Sequence, residues 1–148
     1  MCEIIFADDS FAARFSLIHQ ACFEKPWDES SMRQVLRLTG AFGFLALDKQ
    51  KNPVGMIVCT LNFDEAEIVT LGVVPSCRRQ GIAKKLLDRA LAYARAGNAN
   101  GFFLEVAVDN VSAAALYERA GFKKIGVRKD YYHTPRGLKD ATVMKLSL

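Results

Sequence analysis

Within LGVVPSCRRQGIAKKLL, residues 71–87, an apolar run meets a proline, then a short basic turn with one glycine, then the start of a helical pattern. That junction is laid out to hold an anion. The opening N–H groups of a helix have no partner inside it, and the helix dipole adds partial positive charge there, so a pyrophosphate can be bound largely by main-chain amides. Gly81 lets a ligand approach the backbone, Ala83 keeps the turn uncrowded, and Arg78, Arg79 and Lys84 add charge. A nucleotide-hydrolysing P-loop needs further glycines and a Gly-Lys-Ser/Thr ending, and the turn has neither. A second candidate is Glu105, the one acid in the apolar run FFLEVAV. A charge in such a strand is costly unless it is paired, solvated or put to use. An outward-facing acid on a half-exposed strand is the plain alternative.

These residues need a scaffold, and hydrophobic periodicity supplies one. Cys2 to Phe6 reads as a strand. Asp8, Asp9 and Ser10 offer cap oxygens to a helix carrying Phe11, Phe15, Ile18 and Cys22 that ends by Pro26. A second helix starts near Asp28, buries Met32, Val35 and Leu36, and stops at Gly40. Strands follow at Phe42 to Leu47, Val54 to Leu61 and Glu67 to Val74, an antiparallel meander. From Gly81 to Gly97 the period changes to three and four, with Ile82, Leu86, Leu87, Ala90, Leu91 and Ala94 on one face. Phe102 to Val108 is a strand, Asp109 or Asn110 caps a helix running through Tyr117 to Ala120, and strands at Lys123 to Arg128 and Ala141 to Leu146 close the chain. The order predicts an α/β fold with a mixed sheet flanked by helices, the passage 67–108 having the length of a parallel crossover.

The 148 residues, 51% of them hydrophobic and 24% charged, suit one domain spanning 1–148 and exclude disorder and collagen-like repetition. Twenty basic against sixteen acidic residues, spread along the chain, is a weaker charge than a dedicated DNA-binding module carries. No apolar run approaches the roughly 20 residues of a membrane span, and MCEIIFADDS has acids where a signal peptide has basic residues. A cytoplasmic protein, monomeric or weakly dimeric, without membrane attachment or nucleic-acid requirement, is the expectation. Cys2, Cys22, Cys59 and Cys77 lie far apart without a CxxC pair, so no metal site is expected; the first three read as small core hydrophobes. Cys77 differs in adjoining Arg78 and Arg79, which favours a thiolate. Lys123, Lys124, Arg128 and Lys129 read as a solvated basic edge.

Arg78, Gly81 and Ala83 match the Gln/Arg-x-x-Gly-x-Gly/Ala loop of the GCN5-related N-acetyltransferases, and the element order matches too. LEVAVDN at 104–110, ALYERAGF at 115–122, YYHTPRGLKDATVMKL at 131–146 and KPWDESSM at 25–32 resemble the ribosomal-protein-alanine N-acetyltransferases, the RimI type, within that superfamily. The resemblance implies a central, mostly antiparallel sheet with a splayed parallel pair, and acetyl-CoA in the gap between its two strands, leaving as CoA. The pantetheine arm would pair with the backbone of Leu71, Gly72 and Val73, and the pyrophosphate would sit on the amides of Arg78, Arg79, Gln80, Gly81, Ile82, Ala83 and Lys84. An amide of the first splayed strand would face the thioester carbonyl as oxyanion donor. Glu105 would be the general base, directly or through water, Tyr117 would protonate the leaving thiolate, and Asn110 would hydrogen-bond the cofactor. Trp27, Tyr131 and Tyr132 would border the acceptor channel. Each has an ordinary reading alongside: Asn110 as helix cap alone, Tyr117 and the other aromatics as packing.

An ammonium cannot attack a thioester, so a proton must leave the acceptor first. At pH 7 that costs a lysine about 4.6 kcal/mol but an α-amine only about 1 kcal/mol, the smaller demand on one glutamate. The resemblance thus implies direct transfer to a protein N-terminus, a ribosomal protein, in a ternary complex, with a covalent route through Cys77 as the minor mechanism. The other readings are acetylation of a polyamine, an aminoglycoside or another small amine, and a non-catalytic CoA-binding or RNA-contacting module. Two departures, Ala107 where RimI-type sequences commonly have arginine and KPWD in place of HPWS, bear on peptide selectivity more than on acetyl transfer.

Overall fold

The computed structural model describes residues 2–148. Strand β1 (Glu3–Phe6) leads through a 3-10 turn at Asp9–Phe11 into helices α1 (Ala12–Cys22) and α2 (Glu29–Leu36). Strands β2 (Ala41–Leu47), β3 (Pro53–Asn62) and β4 (Glu65–Val73) follow. A 3-10 turn at Pro75–Cys77 and helix α3 (Ile82–Ala96) lead to β5 (Gly101–Ala107), α4 (Val111–Arg119), β6 (Lys123–Thr134) and β7 (Gly137–Ser147). The strands form one sheet in the order β1-β2-β3-β4-β5-β7-β6, antiparallel except for the pair β4 and β5. The expected mixed sheet and its crossover are therefore present. Among the described residues no helix is long and apolar enough to cross a membrane.

Local chemistry sets most element ends. Asp28 Oδ1 accepts from the Ser31 amide at 2.8 Å and caps α2. Asp8 accepts from Ser10 N at 2.9 Å, but it caps the 3-10 turn, and α1 starts only at Ala12. The last two strands run well past the expected 123–128 and 141–146. Residues 129–140 are charged and turn-rich, yet they form an edge hairpin: Gly137 takes φ +114° and Thr134 Oγ1 donates to Gly137 O at 2.7 Å. A strand exposed along its edge carries no apolar alternation, which is why its sequence does not announce it.

Helices cover both faces of the β2–β3 half of the sheet. Ile82, Leu86, Leu87, Ala90, Leu91 and Ala94 of α3 pack with Phe42, Phe44, Ile57, Phe102 and Leu104 on one face. Phe15, Ile18, Met32 and Leu36 of α1 and α2 pack with Leu45, Leu47, Met56 and Val58 on the other. Burial on two faces makes β2 and the middle of β3 apolar throughout. The four cysteines are free. Only Cys59 is fully buried, while Cys2 and Cys22, expected in the core, are partly exposed because they lie just before the edge strand and at the end of α1.

Among the described residues the core holds three polar side chains, Ser16, His19 and Thr70. His19 of α1 is buried, and its Nδ1 accepts the Trp27 N–H at 3.0 Å, which fixes a neutral imidazole protonated on Nε2. Burial lowers its pKa from 6.5 to about 4. The unfolded chain protonates this group below 6.5 and the folded chain does not until about 4, so its contribution to stability is lost as pH falls through that window. Thermal melts from pH 7 to 4.5 should show a smaller fall in midpoint for His19→Gln than for the unsubstituted protein.

Candidate active site

The site begins where β4 and β5 stop pairing. Their parallel register covers Glu65 with Gly101, Ala66 with Phe102 and Glu67 with Phe103, and no further. On its other edge β4 pairs with β3, where Val58 lies opposite Thr70 and Cys59 opposite Ile68, leaving Val69 as an extra residue. A bulge of this kind bends the strand and increases its twist. Ala66 and Ile68 before it, and Leu71 and Val73 after it, pack toward the same core, the phase change one inserted residue produces. The bulge sits just beyond the last β4–β5 pair, so β4 turns away from β5 and a gap opens in the sheet.

Glu105 stands at that gap. On β5 it shares a face with Phe103, two residues back, and Phe103 pairs with Glu67, so both carboxylates point to the same side. Both line an open cleft of about 600 Å³, together with Thr60, Glu65, Phe103 and Arg128. The Glu105 side chain is only 13% exposed, and its Oε1 lies 3.0 Å from Nε of Arg128 on β6. Arg128 is therefore a partner of the buried acid and not merely part of a solvated edge. Hydrogen bonding to Glu105, then burial, pushes the Tyr131 phenol up to about 12. Tyr132 donates its hydroxyl to Glu105 O at 3.4 Å, a long bond. Even so, Glu105 Oε2 is buried and has no hydrogen bond of good geometry. Glu67 has its pKa raised by burial and by the Glu105 charge, with Arg128 opposing. Glu67 and Arg128 were missed in the sequence because only the strand register brings them to Glu105.

At the other end of the gap lies the basic turn. Gly81 precedes α3 with φ +78°, and a Cβ there would meet nothing within 4 Å, so the helix end is open. No acid lies in the first turn of α3 and no side chain caps it, leaving its amides for a ligand. These features fit a diphosphate. Arg79 also takes a positive φ, +64°. Two of the expected cations have other commitments: Arg78 Nε donates to Val73 O at 2.9 Å, tying the turn to β4, and Lys84 pairs with Asp88 at 2.9 Å. Gln80 and Ile82 line a separate cavity of about 290 Å³, which also receives Cys2 and Cys77. Leu71, Gly72 and Val73 lie past the bulge on the strand that has left β5, and a side chain at Gly72 would begin 3.1 Å from Cys22 Sγ.

Asn110 is the cap of α4, its Oδ1 accepting from Ala113 N at 3.3 Å, which leaves its Nδ2 for other partners. Tyr117 is buried in the core with Phe122, and burial first, then Cys59 and Tyr132, hold its phenol well above 10. Proton donation from it to a thiol-like group near 8.5 is thus uphill rather than balanced in this structure. Tyr131 and Tyr132 meet edge to face at 4.9 Å beside Glu105, whereas Trp27 stacks on His19 in the α1–α2 loop. Lys25 of that loop donates to His133 O at 3.2 Å and joins it to the β6–β7 hairpin.

The model of the Acetyltransferase (GNAT) family matches residues 12–122. A ribosomal protein bS18-alanine N-acetyltransferase of Haemophilus ducreyi is 35% identical over 133 residues, 88% of this chain and 90% of that one. The crystal structure of the ribosomal-protein-S18-alanine N-acetyltransferase from Escherichia coli has a TM-score of 0.91 at 26% identity, covering 99% of this chain and 94% of that one. Arabidopsis thaliana NAA60 in complex with acetyl-CoA shares the fold, with a TM-score of 0.86 at 20% identity over 100% and 99% of the two chains. The chain belongs to the GNAT acetyltransferase family. It is an N-acetyltransferase, and acetyl-CoA is its acyl donor.

A carboxylate whose pKa is raised by folding destabilises the folded state once pH rises above its unfolded value, near 4.5 for Glu67. Glu67→Gln should therefore melt at a higher temperature than the unsubstituted protein at pH 8, and thermal scans should show that gain vanish below pH 4.5.

Proposed function

We propose that this protein acetylates the N-terminal α-amine of a protein, specifically a ribosomal protein, by direct transfer within a ternary complex. The observation that carries the reading is Glu105: a nearly buried carboxylate with one oxygen lacking a hydrogen bond of good geometry, at the point where β4 parts from β5, lining an open cleft. The bS18-alanine N-acetyltransferases that the chain resembles supply the acceptor class, and the cost of deprotonating an α-amine, about 1 kcal/mol at pH 7, is within reach of one such group.

Acetyl-CoA brings an activated acyl group as a thioester. The amides of Gly81, Ile82, Ala83 and Lys84, with Arg78, Arg79 and Gln80 around them, hold its diphosphate, and the free edge of Leu71, Gly72 and Val73 orients its amide-bearing arm. Asn110 contributes Nδ2. The acceptor passes between Trp27 and the tyrosine pair to reach Glu105, and the carboxylates of Glu67 and Glu105 draw its ammonium. Glu105 takes the proton, directly or through a water, and the free amine attacks. Tyr117 hydrogen-bonds the departing sulfur. Burial that raises the phenol raises a thiol in the same place as well, as it does Cys59, so proton return to the sulfur is less adverse than solution values suggest. Cys77 lines a different cavity from Glu105, which favours direct transfer over a covalent route.

Glu105→Gln should lower kcat by about 10²- to 10⁴-fold, the usual range for loss of a general base, with acetyl-CoA affinity by calorimetry unchanged. Cys77→Ala should keep full activity and intersecting initial-rate patterns. Gly81→Asp should weaken acetyl-CoA binding, through a strained positive φ and a negative charge at the helix end. An acceptor panel of ribosomal N-terminal peptides, internal lysine peptides, polyamines and aminoglycosides tests the substrate: turnover confined to the small amines would overturn the proposal.

A further inference from the structure

The α1–α2 loop, residues 23–28, has no regular secondary structure and yet is fixed at several points by side chains of α1. His19 is 4% exposed and lies between the Phe23 ring at 4.2 Å and the Trp27 ring at 4.5 Å, tilted 26° and 13° from them. Its Nδ1 accepts the Trp27 N–H at 3.0 Å. One turn earlier the Ser16 hydroxyl donates to Trp27 O at 2.8 Å, and Gln20 Nε2 donates to Ser16 Oγ at 3.1 Å. Both main-chain groups of Trp27 are thus bonded to side chains of a helix, a role that water or a local turn serves in most loops. Beyond the loop, the Lys25 bond to His133 O reaches the hairpin that carries Tyr131 and Tyr132, and these meet Glu105.

We propose that His19 is a positioning residue for the acceptor. As a neutral imidazole it clamps Trp27 by one hydrogen bond and one stack, and through the loop it sets the distance between Trp27 and the tyrosine hairpin. It lies beneath the loop and contacts neither substrate nor donor. The inference rests on the reading that a peptide N-terminus enters between that loop and that hairpin. It assigns acceptor affinity, not chemistry or donor binding, to a buried side chain of the first helix. Trp27 is the one tryptophan of the chain, so its emission reports the clamp directly.

The test uses the full-length protein, an N-terminal peptide that it acetylates, and three variants. His19→Ala should raise the peptide KM about tenfold, the equivalent of one hydrogen bond, and shift Trp27 emission to the red. Its kcat and its acetyl-CoA affinity by calorimetry should stay within about twofold, since neither the general base nor the helix-end amides are touched. His19→Gln retains an acceptor without the stack and should recover part of the KM. Lys25→Met, an exposed change that folding tolerates, should raise KM by itself; with His19→Gln it decides the matter if His19→Ala does not fold. Unaltered KM in both His19→Gln and Lys25→Met, or a parallel loss of kcat and acetyl-CoA affinity in His19→Ala, overturns the inference. If the unsubstituted protein ignores every peptide and acetylates only small amines, the underlying reading fails instead.

Discussion

Strand β4 runs beside β5 for three residue pairs and then leaves it, because Val69 is one residue more than the opposite strand can match. Past Glu67 and Phe103 the facing edges carry backbone N–H and C=O groups that no neighbouring strand satisfies. Such groups are costly where water is scarce. A ligand with amides along its length completes the ladder on the β4 side, in the way an added strand would. On the β5 side the Tyr132 hydroxyl already takes up the Glu105 carbonyl. The gap is thus a standing deficit in hydrogen bonding, confined to the place beside Glu105 where the proposed reaction brings its two substrates together.

The same opening explains the arrangement of charge. Beside the opening the Glu105 side chain lines the cleft and keeps 13% of its surface exposed. Here one oxygen is paired with Arg128 and the other has no hydrogen bond of good geometry. Glu67, on the same face, is held above the usual carboxylate range by burial and by Glu105. Two acids this close repel each other, and a cationic amine relieves the repulsion. Perturbed groups converging in a cleft are a usual mark of a working site.

Much of this was legible in the chain. The spacing of Ile82 to Ala94 specified α3, the Pro75 to Gly81 passage specified an open helix end, and the isolation of Glu105 among apolar residues marked it out. Helix periodicity and turn chemistry are local and survive in a sequence. The Val69 bulge is not: residues 67–74 read as one smooth strand, and the inserted residue exists only relative to β3. The pairing of Glu105 with Arg128 likewise depends on β7 lying between their strands. The depth of Tyr117, which changes its acidity, depends on how α4 packs, and nothing in the sequence joins His19 to Trp27, whose contact exists only once the α1–α2 loop folds back. What failed to show was in each case a relation between elements distant in the chain.

The position of β7, between β5 and β6, decides what holds the Glu105 strand in place. β5 is tied to β4 by three pairs but to β7 by seven, from Gly101 with Ser147 to Ala107 with Ala141. The strand that carries Glu105 is therefore anchored mainly by a strand that follows it in the chain. Without β7, β5 loses most of its backbone partners and Arg128 has no route to Glu105. The helices and the meander have their own partners in the core, whereas the cleft at Glu105 is complete only when β7 and β6 are in place.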